Sequence, residues 1–210
     1  MKVPFVACAT AWLIACTSSV QAASSVDLTV TGVITPSACT PTLAQGGVAD
    51  YGKIAAKDLK PTTSTTLPRI YLNMQVSCEA ATLFAFNGID NRAGSAYGVY
   101  GYGLGMINDT QRLGGFWLTF TDTLADGLQL TKLASYNNGA TWIDNSEEAI
   151  WMQGRLAAFG SNTDGIWAPV AIKELTSQLR VSPSIAPANQ LTLIEEQPID
   201  GSATLELRYL

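Results

Sequence analysis

Between Ile70 and Cys78 the chain alternates without a break. Ile70, Leu72, Met74, Val76 and Cys78 are interleaved by Tyr71, Asn73, Gln75 and Ser77. Successive side chains of a β-strand point to opposite faces of the sheet, so this period of two turns one row toward a core and the other away from it. An amphipathic helix needs apolar residues three and four positions apart, and helical periodicity is nearly absent from this chain. Short alternating stretches recur instead, separated by Gly, Asn, Asp and Pro, which is the pattern of an all-β sandwich or barrel. Asn138-Gly139, set between 130–136 and 141–151, predicts a hairpin. Asp126-Gly127 and Asp200-Gly201 predict two further turns. Residues 62–66, a Thr/Ser run flanked by Pro61 and Pro68, read as a loop. Residues 97–105 form a Gly/Tyr-rich patch, where glycine lets rings lie over neighbouring backbone but weakens a strand.

The first 22 residues read differently. Met1 and Lys2 make a short positive start, residues 3–15 are almost wholly apolar, and a polar stretch leads to Val20-Gln21-Ala22. This is the layout of a secretory signal, cleaved after Ala22, and it is too short to remain as a spanning helix. Leu13-Ile14-Ala15-Cys16 also has the shape of a lipoprotein cleavage box, which would leave Cys16 lipidated. Either route exports the chain. Cleavage after Ala22 leaves 188 of the 210 residues, enough for one domain with a sizeable core. It also removes Lys2, taking the formal charge from −5 to −6. Nucleic-acid binding needs a basic patch against phosphate, so no nucleic-acid partner is expected. No second apolar stretch is long enough for a transmembrane helix.

Two of the four cysteines leave with the signal. Cys39 and Cys78 remain, and in an oxidising compartment the simplest expectation is one disulfide. Its closed loop of about 40 residues would contribute on the order of 4 kcal/mol in the chain-entropy model. A thiol active site is the other use of such a pair, but the chain has no histidine to activate it. The lack of histidine also removes the commonest general base and transition-metal ligand. No nucleophile elbow, P-loop or dinucleotide fingerprint appears. Glu147-Glu148, Glu195-Glu196 and Asp90 are carboxylates that could serve a glycosidase, yet adjacent carboxylates on strands and turns are usually solvated surface. Asp90-Asn91-Arg92 reads as a turn held by Asx and Arg hydrogen bonds. The expectation is a protein that is not an enzyme, with no catalytic residues, no cofactor and no metal.

Both ends carry regular alternation. Val26, Leu28, Val30, Gly32 and Ile34 share one parity near the N-terminus; Ala203, Leu205, Leu207 and Tyr209 share one near the C-terminus. An ordinary first strand and an ordinary terminal edge strand are one reading of them. Val30-x-Gly32-x-Ile34 followed by Cys39, with Cys78 some tens of residues on, resembles the start of mature chaperone–usher pilins. The penultimate Tyr209 in an alternating strand resembles their C-terminus. Asp50-Tyr51-Gly52-Lys53-Ile54, Asp90-Asn91-Arg92-Ala93-Gly94 and Gly103-Leu104-Gly105 look like the fimbrial-like subfamily named domain of unknown function 1120.

The resemblance implies an immunoglobulin-like sandwich that is incomplete and is filled by donor-strand exchange. Residues 23–35 would be the donor extension and 36–210 the domain. Val26, Leu28, Val30 and Ile34 would enter a neighbour's groove, with Gly32 letting the strand lie close to a crowded part of it. Ala203, Leu205, Leu207 and Tyr209 would form one wall and pair with a periplasmic chaperone in transit. Implied partners are that chaperone, an outer-membrane usher, neighbouring subunits and host surface glycans. The implied location is the periplasm and then a cell-surface fimbria, where the protein would serve adhesion. The chain is longer than typical major pilins and has an unusually aromatic middle, so shaft subunit, tip subunit and free periplasmic relative all remain open. A second reading, a self-complete carbohydrate- or surface-binding module, rests on Trp117, Trp142, Trp151, Trp167 and the Tyr97–Tyr102 patch.

Overall fold

The computed structural model describes residues 29–31, 38–99, 101–146 and 150–210. The signal segment lies outside them. The chain divides into two units, Met1–Ile34 and Thr35–Leu210. Residues 29–31 are all that is described of the first, and the fold below is that of the second.

Along it run β1 (Cys39–Leu43), β2 (Thr65–Thr66), β3 (Ile70–Thr82), β4 (Phe84–Asp90), β5 (Tyr102–Gly103), β6 (Met106–Ile107), β7 (Gln111–Arg112) and β8 (Gly114–Ala125). Then come β9 (Leu128–Gln129), β10 (Thr131–Ser135), β11 (Ile143–Asp144), β12 (Leu156–Thr163), β13 (Ile166–Pro169), β14 (Ile172–Ile185) and β15 (Ala203–Tyr209). One sheet has the order β1-β3-β14-β8-β5, with β2 beside β14 and β9 beside β8. The other has the order β11-β10-β12-β4-β15, with β13 beside β12. β6 and β7 form a separate ribbon. The long ladders are antiparallel, so the chain is all-β and builds a sandwich of two sheets. Leu83 alone separates β3 in the first sheet from β4 in the second.

The alternation read from the sequence is realised in β3: Leu72, Met74, Val76 and Cys78 are buried, while Tyr71, Asn73, Gln75 and Ser77 are exposed. Leu118 and Phe120 of β8 and Leu175 and Leu179 of β14 join them in one core. Phe84 and Phe86 of β4 and Phe159 of β12 face them from the second sheet. Phe86, Phe120 and Phe159 meet with centroids 5.3–6.5 Å apart, and Trp151 stacks on Phe120 at 5.1 Å. Edge-to-face and offset contacts of this kind favour the rings beyond the area they bury.

Two local expectations change in detail. The Thr/Ser run ends in a strand, because β14 outruns its ladder with β3. That ladder stops at Val181↔Ile70, and Ser184 and Ile185 pair instead with Thr66 and Thr65. The Asn138-Gly139 turn is present, with φ of 59° and 93°, but its second arm is only Ile143–Asp144. Trp151 leaves that hairpin for the core. Its backbone N–H donates to the Leu118 carbonyl and its indole N–H to the Arg155 carbonyl, both at 2.8 Å.

Candidate functional site: an open groove along the last strand

β15 pairs with β4 through the register Ala203↔Asp90, Leu205↔Gly88, Leu207↔Phe86 and Tyr209↔Phe84. The four residues read as one face therefore do share a face, the one turned toward the core. They are not sealed there. Ala203, Leu205 and Leu207 are half-buried against the core cluster and Tyr209 is exposed, whereas Phe84 and Phe86 across the ladder are fully buried. The cause is position: β15 is an edge strand, and among the described residues nothing pairs with its other side.

The opposite wall starts with β1. Cys39 sits directly across from Cys78, and the two form a disulfide. The strand breaks at Ala44–Gly47, where Gln45, Gly46 and Gly47 all take positive φ, between 56° and 78°. Glycine carries no steric penalty there. After this kink residues 48–54 run outside any ladder, turning at Gly52, whose φ is 58° and whose N–H donates to Asp50 Oδ1 at 2.8 Å. Sequence reading missed this wall, although Gln45-Gly46-Gly47 was the available signal that the first strand could not continue.

Between the walls lies a cavity of about 230 Å³, lined by Tyr51, Leu72, Phe116, Leu118, Leu179 and Leu205 among others. Its lining draws on both sheets, so the groove reaches down to the sandwich interior, where Leu72, Leu118 and Leu179 stay buried. At Gly47, Ala49, Tyr51, Ile199 and Gly201 it is continuous with a cavity of about 730 Å³ between Val48–Ile54 and Leu193–Ile199. Gly201 has no room for a side chain, since a Cβ there would lie 2.8 Å from Leu104 and 3.0 Å from Phe116. The Tyr51 hydroxyl is buried without a hydrogen-bond partner, and burial pushes its pKa up to about 12.

The start of β15 is held by a polar knot. Asp90 accepts from the backbone N–H groups of Arg92 and Gly103 at 2.9 and 3.0 Å. Arg92 donates to both carboxylate oxygens of Asp200, at 2.7 and 2.9 Å, and to its carbonyl at 3.1 Å. That contact holds the Asp200 carboxyl below the usual aspartate range. The turn anticipated at Asp90-Asn91-Arg92 is thus a structural anchor, and both oxygens of Asp90 are engaged within the fold. Glu147 and Glu148 lie outside the described residues. Among the described residues, no cluster of three or more Cys, Asp or Glu is arranged to hold a metal ion.

Of the N-terminal row, Val30 is exposed; Val26, Leu28, Gly32 and Ile34 lie outside the described residues. The aromatic residues of the middle are largely spoken for. Trp151 and Tyr102 are core, Tyr102 stacking on Phe116 at 5.2 Å. Trp117 lies against Gly101, and Trp142 covers Ala85, Leu156 and Ala158 on the outer side of the second sheet. Trp167 is half-buried on β13.

The model of a protein family of unknown function, DUF1120, matches residues 28–100, a stretch that includes β1, the kinked wall and β3–β4. The chain is also similar to two proteins of Escherichia coli (strain K12). It is 26% identical to the uncharacterized protein YhcF, the match covering 91% of this chain and 93% of that protein. It is 26% identical to the protein GltF, covering 91% and 92%. Among the described residues, no helix is long and apolar enough to cross a membrane. The Cys39–Cys78 disulfide is consistent with an exported protein.

Proposed function

We propose that this chain is a structural subunit of a chaperone–usher-type fimbria whose groove along β15 receives the extended N-terminal segment of a second copy. The observation that carries the reading is a groove into the sandwich interior between two segments, each with an edge that no strand pairs among the described residues. One is β15, with Leu205 and Leu207 half-buried; the other is Leu43 and the kinked wall from Gly47 to Tyr51. An uncovered apolar edge is an aggregation hazard unless something pairs with it, and an added strand supplies both backbone partners and side chains for alternate pockets. Val26, Leu28, Val30 and Ile34 have the required period, and Gly32 suits the most crowded point of the lining. In transit a periplasmic chaperone covers the same edge, and an outer-membrane usher passes subunits outward; adhesion, including to host glycans, is the purpose of the assembled fibre. The chain performs no catalysis in this reading and uses no cofactor.

The test is association of the processed chain by sedimentation, together with thermal unfolding in the presence of a peptide spanning 23–35. A midpoint that climbs with peptide concentration is expected for a strand that binds the folded state alone. Gly32→Phe in the chain abolishes self-association without lowering the midpoint of the monomer. An unchanged midpoint at all peptide concentrations would instead favour a self-complete surface-binding module.

A further inference from the structure

Resting on the groove reading above, we infer that residues 193–199 form a hinged strap across the open end of the groove. The Lys53–Glu196 ion pair latches it, and it must swing aside for a strand to be seated. The segment joins β14 to β15 and is fixed firmly at both ends. At one end Thr192 donates its backbone N–H to Gln111 Oε1 at 2.8 Å, accepts from Gln111 Nε2 at its hydroxyl at 3.0 Å, and accepts from Asn108 Nδ2 at its carbonyl at 2.9 Å. At the other, Asp200 is gripped by Arg92 and donates its own N–H to the Leu104 carbonyl at 3.1 Å.

Between these anchors the character of the chain changes. Among the described residues, none of 193–199 makes a backbone hydrogen bond. Leu193 is half-buried against the core, but beyond it Ile194 is 90% exposed and Glu195, Glu196, Pro198 and Ile199 are exposed. Free backbone groups and few buried contacts mark a segment of low local stability, and here it is bounded by two rigid points that define hinges. Lys53 Nζ reaches Glu196 Oε1 at 2.6 Å across the mouth, with side chains 86% and 84% exposed. The pair therefore joins the strap to the kinked wall on the far side of the 730 Å³ cavity. A strand lying along β15 and continuing past Gly201 enters this space. An exposed ion pair is weak and screened by salt, which suits a latch that opens readily rather than a permanent staple.

The experiment measures how fast a fluorescent peptide of residues 23–35 binds the full processed chain. The chain carries K53C and E196C, compared before and after closure with a short bifunctional thiol cross-linker. Closure is expected to slow association at least tenfold, and Lys53→Glu alone, which needs no cross-link and sets two carboxylates against each other, should speed it about two- to fivefold. Equal rates with and without the cross-link, at unchanged thermal midpoint, overturn the strap and leave the groove reading intact. Failure of the peptide to bind the parent chain as well as both variants removes the groove reading, and the strap with it.

Discussion

The backbone N–H of Cys39 donates to the Tyr209 hydroxyl at 3.0 Å, although 170 residues separate them. The contact joins the first residue of β1 to the last residue of β15, so the two groove walls meet at this end. Tyr209→Phe removes one neutral, solvent-reachable hydrogen bond, and its expected cost is at most about 1 kcal/mol. The informative change is local: hydrogen exchange should accelerate across residues 39–43 and stay constant in β14. Equal acceleration throughout would mean that the bond supports the whole sandwich rather than one end of the groove.

Leu72 and Tyr71 are neighbours in β3 on opposite faces, one buried and the other exposed. Leu72→Ala should destabilise by about 2–5 kcal/mol through lost transfer energy and the cavity left behind. Tyr71→Ala should stay within about 0.5 kcal/mol, as for surface substitutions elsewhere. Urea unfolding of both variants at unchanged m-value checks the pair.

The strands were legible wherever one face is wet and the other dry, as in β3, because burial then leaves a period of two in the residue types. The Asp126-Gly127 turn was legible for a different reason: both residues take positive φ, 49° and 78°, and their types tolerate it. The disulfide followed from counting cysteines. The kinked wall and the strap were not legible. Neither is held by a ladder, so neither leaves a period, and the two meet through Lys53 and Glu196, which are 143 positions apart. Trp151 was misplaced into a hairpin for a similar reason, since its partners Leu118 and Phe120 are long-range.

Gly88 lies under Tyr102, and a Cβ at that position would collide with the Tyr102 hydroxyl and come within 3.2 Å of Trp151. Burial raises the Tyr102 pKa, and the nearby Asp90 carboxylate adds to it. Gly88→Val should force the ring from its stack on Phe116 and cost about 1–3 kcal/mol as overpacking. Near-ultraviolet dichroism should lose intensity, and Tyr102→Ala in the same chain should relieve part of the overpacking.

Asp200 is held below the usual aspartate range chiefly by its hydrogen bonds from Arg92. The unfolded chain therefore takes up this proton first as pH falls. The contribution of the pair is present above the ordinary aspartate pKa and is lost as pH drops through the lower, folded value. Asp200→Asn should flatten that part of the stability profile and free the start of β15. A variant profile parallel to the parent's between pH 5 and about 2 would assign acid sensitivity to other carboxylates.

Tyr51 titrates in the opposite direction. Burial raises its pKa from 10.0 to about 12, so the folded state keeps the proton longer than the unfolded state. This group's contribution is complete below the unfolded value and declines as pH rises toward the folded one. An ultraviolet phenolate titration should show one ionisation near pH 12 that vanishes in Tyr51→Phe. The hydroxyl also has no hydrogen-bond partner, and an unsatisfied buried group costs on the order of 1–3 kcal/mol. Tyr51 as a whole is only half-buried, so the gain from Tyr51→Phe should be smaller, up to about 1 kcal/mol. If Tyr51→Phe instead lowers the midpoint at neutral pH, the hydroxyl is satisfied in solution and the groove wall at Tyr51 is held by more than packing.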